Sequence, residues 1–375
     1  MILKIGIDAS PLSGNITGIG RYVLEICRLL DQQLPDTLFF LYSRNPIEIK
    51  LPSERWINRA EKTWRKFTPS SYIWLKLWVK RMAEIDGIDV FWGTRTILPR
   101  KSNSFMTVST VHDLNYKLFP KTMPFVTLQA HRWWFSRDTH RADMVATNSQ
   151  GTADRLNKIL GVEASVIIRP GVSPEFRSQP PDICKKCLEK FGIKKPYFLA
   201  VGTLEPRKNL LTLIKAFLDL KQLGKFTEHD LLLIGNKGWK SSKLYTCLKQ
   251  VEIKGVRWLG FVSDQELAAL YTVTTAFVFP SLYEGFGMPA LEARACGAKV
   301  VASDIPELYE AAGEEAIYID PTVEGIQRGL LATIQASPPA PVDIDDWSNA
   351  AEKMAMIFRN INLSTKETAG LQNAK

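Results

Sequence analysis

The sequence predicts an α/β protein made of two halves, each a doubly wound and mainly parallel sheet. Three observations carry this. The 375 residues exceed what one hydrophobic core usually serves. Short apolar runs alternate with helical patterns from end to end. The turn-rich segment Pro170-Gly171-Val172-Ser173-Pro174 interrupts that alternation near the middle.

In the first half, the runs at 4–7, 38–42, 90–92, 106–111, 144–147 and 166–168 are short and mostly β-branched or aromatic, and read as strands. Between them, 20–30, 71–84, 125–141 and 149–160 carry apolar residues at helical spacing. The second half opens on a helical stretch at 182–191. It then offers strands at 197–201, 230–234, 256–259, 276–279, 299–302 and 316–319. Helices alternate with them at 209–223, 242–251, 264–272, 289–296, 306–312 and 322–335. The expected domains are therefore 1–172 and 173–345. After the prolines at 338–341, a terminal helix is expected over 346–363, and the polar remainder, 364–375, reads as a disordered tail.

Hydrophobic residues make up 45% of the chain and the mean hydropathy is −0.08, as in a water-soluble globular protein. No apolar run is long enough to span a bilayer. The start, Met1 to Asp8, reads as a first strand rather than a cleavable leader, so a cytoplasmic location is expected. A net charge of +9 points to an anionic partner. No nucleic-acid motif accompanies it, and nucleic acid is not expected as that partner.

The excess is concentrated at 55–81, where Arg55, Arg59, Lys62, Arg65, Lys66, Lys76, Lys80 and Arg81 interleave with Trp56, Trp64, Trp74 and Trp78. Two readings stay open. The stretch could lie on an anionic membrane surface at the inner face of the cell membrane, with charges on phosphates and rings at headgroup depth. It could equally form amphipathic helices packed on the first sheet. The cluster His131 to Phe135 reads as helix packing without a function of its own. Cys184 and Cys187, the one close cysteine pair, read as exposed thiols on a helix. With no second pair at ligand spacing, no structural zinc is expected.

Chemistry concentrates in two places. Ser281-Leu-Tyr-Glu-Gly-Phe-Gly-Met-Pro-Ala-Leu-Glu292 follows an apolar strand, and Pro289 suits a helix start. A helix beginning there aims unpaired N–H groups and a positive dipole end into the loop that holds Glu284, which favours an anion. Glu284 and Glu292 could hold hydroxyls on either side of a phosphate. The plainer alternative is an ordinary strand–turn–helix with two solvated carboxylates. Upstream, Gly202-Thr-Leu-Glu-Pro-Arg-Lys208 follows another strand, and its adjacent Arg207 and Lys208 suit a diphosphate.

With these motifs the chain resembles the retaining family-4 glycosyltransferases of the GT-B fold, over nearly its whole length. Glu284 and Glu292 match the family's E-x7-E pattern, and Arg207-Lys208 its diphosphate pair. Val111-His-Asp-Leu114 is similar to the His-Asp segment, and Asn15-Ile-Thr-Gly-Ile-Gly-Arg-Tyr22 to the glycine-rich first loop. One departure is Arg169, where the family often has Asn before the interdomain crossing.

The resemblance implies two facing Rossmann-like domains with a cleft between them, and a C-terminal helix crossing back to the first. It implies a nucleotide-sugar donor held mainly by the second half and a saccharide acceptor, free or lipid-linked, on the first. Glu292 would bind ribose and Glu284 the hydroxyls of the transferred sugar. Backbone N–H groups of Phe286, Gly287 and Met288 would support sugar and phosphates. His112 would approach the sugar's C6 hydroxyl. Gly18 and Gly20 would let the first loop come close to diphosphate or acceptor, Gly202 would sit beside the donor, and Gly235 to Trp239 would lie near the base. No metal or other cofactor is expected, because the cationic pair can take up the leaving phosphate's charge.

The first loop looks most like mannosyltransferases of bacterial surface-polysaccharide assembly, of which O-antigen and lipopolysaccharide synthesis are the pattern. GDP-mannose is therefore the first expectation. A UDP-sugar-dependent transferase, or an epimerase or hydrolase on the same fold, is the alternative. Same-face attack and double displacement both stay open as routes to retention.

Overall fold

A computed structural model describes residues 2–14, 16, 18–337, 339 and 344–373, with the side chains of 64, 253 and 362–373 left out. It divides into two compact units. The first comprises 1–116, 125–171 and 345–375, and the second 117–124 and 172–344.

The first unit is built on seven strands: β1 (Leu3–Asp8), β2 (Thr37–Ser43), β3 (Trp56–Ala60), β4 (Val90–Gly93), β5 (Met106–Val111), β6 (Met144–Thr147) and β7 (Val166–Ile167). They lie in the order β3-β2-β1-β4-β5-β6-β7, every pair parallel. A parallel sheet has helices on both faces, so its strands are apolar on both sides. β4 is accordingly buried at all four positions.

The second unit repeats the plan. It consists of β8 (Tyr197–Val201), β9 (Asp230–Ile234), β10 (Val256–Gly260), β11 (Ala276–Phe279), β12 (Val300–Ser303) and β13 (Ile317–Ile319). Their order is β10-β9-β8-β11-β12-β13, again all parallel. Its two faces are packed separately. Leu199, Leu232, Phe277 and Ala302 meet Leu270, Leu291 and Leu308 on one side. Phe198, Leu231, Leu233 and Val278 meet Leu213, Phe217 and Leu330 on the other.

In both sheets the strand order reverses once, between β1 and β4 and between β8 and β11. Ligands of open α/β sheets bind outside the strand carboxyl ends at such reversals.

The stretch 55–81 is not helical throughout. Its start is the edge strand β3, which the sequence reading missed because basic residues hide a short alternation. Trp56 stacks on Phe39 with ring centroids 4.0 Å apart, and its Nε1 donates to Asp31 at 2.8 Å. Arg55 and Arg59 pair with Asp31 and Asp86, each at 2.8 Å. A helix broken by a π turn follows from Ser71 to Asp86. There Trp74 is fully buried, and Lys76 is buried in an ion pair with Asp138 of the helix Phe125–Arg141. Lys62, Lys66, Phe67, Leu77 and Arg81 stay exposed.

Two smaller expectations change as well. Cys184 and Cys187 are buried, not exposed, because they lie on the core-facing side of the helix Pro181–Lys190. In the cluster 131–135, Phe135 is core, while Trp133 is 64% exposed on the opposite side of its helix.

The last helix, Trp347–Asn373, belongs to the first unit and runs well past 363 as backbone. The tail is therefore helical to Asn373, and 374–375 lie outside the described residues. Trp347 packs edge-on to Tyr22 at 5.8 Å, and Phe358 edge-on to Trp92 at 6.2 Å. The terminal helix also packs along the helix Gly18–Gln33, which carries Tyr22. Arg359 donates to the carbonyl of its last residue, Gln33, at 2.6 Å.

Candidate active site

The carboxyl ends of β8 and β11, on either side of the second reversal, deliver charged groups to one point. After β8 the chain turns at Gly202 (φ 149°) and reaches Glu205 in extended conformation. Extended backbone is what a following proline imposes. Pro206–Lys208 then form one 3-10 turn, ended by Asn209 at φ 57°. After β11, the loop is tied to that turn by Leu282 N–H donating to the Arg207 carbonyl at 2.9 Å.

Glu284 thereby lands between the two cations. Its carboxylate accepts from Arg207 at 2.6 Å and from Lys208 Nζ at 2.7 Å. Arg207 also donates to the Tyr283 carbonyl at 2.7 Å, and its other terminal nitrogen pairs with Glu205 at 2.6 Å. Lys208 Nζ sits 4.6 Å from the Phe279 ring centroid, and a β-carbon on Gly202 would come within 3.0 Å of its Cε. Gly202 thus leaves room for the lysine.

Glu205, Lys208 and Glu284 are buried, at 3%, 8% and 6% exposure. Burial opposes charge on Glu284, but Arg207, Lys208 and their hydrogen bonds outweigh it and hold the carboxyl down at about 2. Glu284 is ionised at neutral pH. Burial pulls the Lys208 ammonium below its ordinary value, and Glu284 resists that pull. The cluster holds two carboxylates and two cations, and its formal charges cancel.

Past Glu284, Gly287 caps the helix Met288–Ala295 in a left-handed conformation, with φ at 100°. A side chain there would also strike Leu308, 2.4 Å from the would-be β-carbon. Phe286 is buried before it, Met288 opens the helix, and Pro289 fills the next position. Glu292 is buried on the same helix. The helix N-terminus therefore follows directly on the loop that brings Glu284 to the cation pair.

Several neighbours were not anticipated. Glu205 is one; its only sequence signal is an acidic residue fixed by a proline at a strand end. Residues 117–124 are another, grouped with the second unit although they follow β5. There Phe119 stacks on Tyr283 at 5.8 Å, and the Thr122 carbonyl accepts from Trp239 Nε1 at 2.5 Å. The Gly235–Trp239 loop packs on the loop after β8, since β-carbons on Gly235 and Gly238 would strike the Gly202 and Leu204 carbonyls.

In the first unit, His112 follows β5 and is buried, with ring nitrogen Nε2 2.9 Å from the Thr94 carbonyl. A carbonyl only accepts, so Nε2 carries the proton and Nδ1 is left as an acceptor. Burial lowers this imidazole below 6.5, and it is neutral at physiological pH. Gly18 and Gly20 do not lie in a loop: they form the first turn of the helix Gly18–Gln33. A β-carbon on Gly20 would sit 2.5 Å from the Pro11 carbonyl oxygen, so this glycine serves packing within the unit. Asn15 and Thr17 of the same motif lie outside the described residues.

Two family models match the chain, one on each half. "Glycosyltransferase Family 4" matches residues 16–176 and "Glycosyl transferases group 1" matches 188–345. The chain is a family-4 glycosyltransferase of the GT-B fold. This glycosyltransferase is 27% identical over 356 residues to O-antigen chain mannosyltransferase B of Escherichia coli, covering 89% of this chain and 91% of that one. It is 31% identical over 235 residues to O-antigen chain mannosyltransferase RfbU of Salmonella typhimurium, covering 62% and 61%. A solved structure of sucrose-phosphate synthase from Thermosynechococcus elongatus superposes with a TM-score of 0.67 at 17% identity, over 99% of both chains. At that identity the likeness speaks for the fold alone. Among the described residues, no helix is long and apolar enough to cross a membrane.

Proposed function

We propose that this glycosyltransferase moves mannose from GDP-mannose, with retention at the anomeric carbon, onto a lipid-linked saccharide during surface-polysaccharide assembly. The observation that carries the reading is the Arg207–Lys208–Glu284 cluster at the reversal between β8 and β11. Two cations and a helix start at one point suit a diphosphate whose negative charge grows as the glycosyl bond breaks. The names of the two mannosyltransferase relatives support the sugar and the setting.

In this reading the donor's phosphates displace Glu284 from the cations, and Glu284 turns to the hydroxyls of the transferred sugar. Glu292 takes the ribose. N–H groups around Phe286, Gly287 and Met288 hold sugar and phosphate, and His112 offers Nδ1 to a donor hydroxyl. The departing phosphate oxygen accepts the acceptor's proton, with attack from the same face. No metal takes part, and the compartment is the cytoplasm.

A nucleotide-binding panel tests the donor. GDP is expected to raise the melting temperature more than UDP does. A preference for UDP moves the donor to the UDP-sugar alternative, and no response to either removes the reading. Donor turnover without any acceptor, at the rate seen with one, would favour the hydrolase or epimerase alternative.

The first unit is also read as resting on the cell membrane. Phe67 is 77% exposed and Trp133 64% exposed, with Lys62, Lys66, Arg81, Arg132 and Arg137 also at the surface. Exposed rings among cations suit an anionic headgroup layer. Flotation with phosphatidylglycerol vesicles is expected to carry the protein upward, and phosphatidylcholine vesicles are not. Replacing Phe67 and Lys66 by Ala should weaken flotation several-fold. Equal behaviour with both lipids removes the membrane from the list of partners.

A further inference from the structure

We infer that Glu205 is a positioning residue for Arg207, holding the guanidinium in place while Glu284 lets it go. The inference rests on the reading that Arg207 binds the donor's diphosphate. In the structure two carboxylates grip this one guanidinium from different sides. Glu205 Oε1 meets one terminal nitrogen and Glu284 Oε2 the other, each at 2.6 Å. Their supports differ. Glu284 sits on a loop among glycines and also pairs with Lys208. Glu205 is 3% exposed, its backbone is fixed by Pro206, and its carbonyl accepts the Lys208 N–H at 3.1 Å, closing the turn that carries both cations. One carboxylate is thus built into the turn, and the other is shared.

That asymmetry matters when a diphosphate arrives. A phosphate oxygen needs the Arg207 nitrogen that now faces Glu284. Without Glu205, release of Glu284 would leave the guanidinium on the Tyr283 carbonyl at 2.7 Å, free to pivot about it. With Glu205 on the far nitrogen, the planar fork stays aimed and one edge becomes available. Glu205 Oε2 is also buried and has no hydrogen-bond partner among the described residues, so the second oxygen of this carboxylate is not spent on another protein group.

The two possible effects of Glu205 on an anion have opposite signs. As a plain negative charge beside the site, it would repel the diphosphate, and its removal would tighten binding. As the support of Arg207, its removal loosens binding. Calorimetric titration with GDP and with UDP separates the two.

Both Glu205→Gln, which keeps shape and removes charge, and Glu205→Asp, which keeps charge and shortens reach, are expected to raise Kd for the preferred nucleotide about tenfold, an effect of about 1.4 kcal/mol. In a protein already carrying Arg207→Gln, neither should change Kd more than twofold, because the residue acts through that arginine. Unchanged or tighter binding in the single variants, or a full penalty retained in the Arg207→Gln background, overturns the inference. A wild-type protein that binds neither nucleotide fails earlier, at the reading that places a diphosphate here.

Discussion

Replacing Lys208 by Ala is expected to lower the turnover of sugar transfer by about 10²- to 10³-fold, the usual loss when one preorganised donor to a developing anion is removed. The ammonium is buried, lies 2.7 Å from Glu284 and has no second role in the fold beyond covering the Phe279 ring. Removing it leaves Glu284 with Arg207 at 2.6 Å, so the loop keeps an ionic partner and the protein should still unfold cooperatively. Because charge builds on the leaving phosphate only as the bond breaks, the loss should fall on kcat more than on donor KM. The measurement is transfer from labelled donor to acceptor supplied by a membrane preparation, alongside thermal unfolding. Arginine at 208 should not rescue, since Gly202 lies close against the lysine stem and the planar fork needs more width. Near-normal turnover in Lys208→Ala would remove this residue from the chemistry.

Much of this site is legible in the sequence, for a specific reason. Strand ends in α/β proteins are abrupt, and glycine, proline and charge placed just after an apolar run mark where the chain leaves the sheet. Gly202, Pro206, Gly287 and Pro289 did so here. What could not be read was pairing across the sheet. Nothing in the spacing shows that Glu284 would sit on both cations, since β8 and β11 become neighbours only through the reversal in strand order. Glu205 stayed hidden for the same reason: its meaning depends on which edge of Arg207 faces it.

The misread elements share a cause too. At 55–81, tryptophan and lysine suit a membrane surface and helices packed on the first sheet equally well. Trp56 and Trp74 find carboxylate partners in the half-buried Asp31 and the buried Glu61, so the polar atoms of both rings are satisfied within the unit. The resemblance puts Gly18 and Gly20 in a glycine-rich loop beside the ligand, whereas both belong to the first helical turn and Gly20 is small because that turn passes close to Pro11.

Glu284→Gln is expected to separate binding from transfer in a way no other substitution here would. In the free protein its carboxylate occupies the inner faces of both cations, so an incoming diphosphate must compete with it. Glutamine removes the competitor and leaves the cluster with a net positive charge. Affinity for the nucleoside diphosphate alone should therefore rise about tenfold, about 1.4 kcal/mol. Transfer should nonetheless fall by at least about a hundredfold, since the hydroxyls of the sugar lose a charged acceptor. Without ligand the variant should be less stable at neutral pH, on the order of 3 kcal/mol, because breaking a buried ion pair strands the remaining charges.

The pH dependence follows from the direction of the Glu284 shift. Its carboxyl is held at about 2 in the folded protein against an ordinary 4.5. The stabilisation it gives is complete above about pH 4.5 and is lost as pH falls through about 2. Wild-type stability should drop across that interval more steeply than that of Glu284→Gln, which carries no proton to gain there. Denaturant unfolding at stepped pH, with and without GDP, measures both effects. Parallel acid limbs would show that Glu284 is not held by the cations, and weaker GDP binding in the variant would show that it does not compete for them.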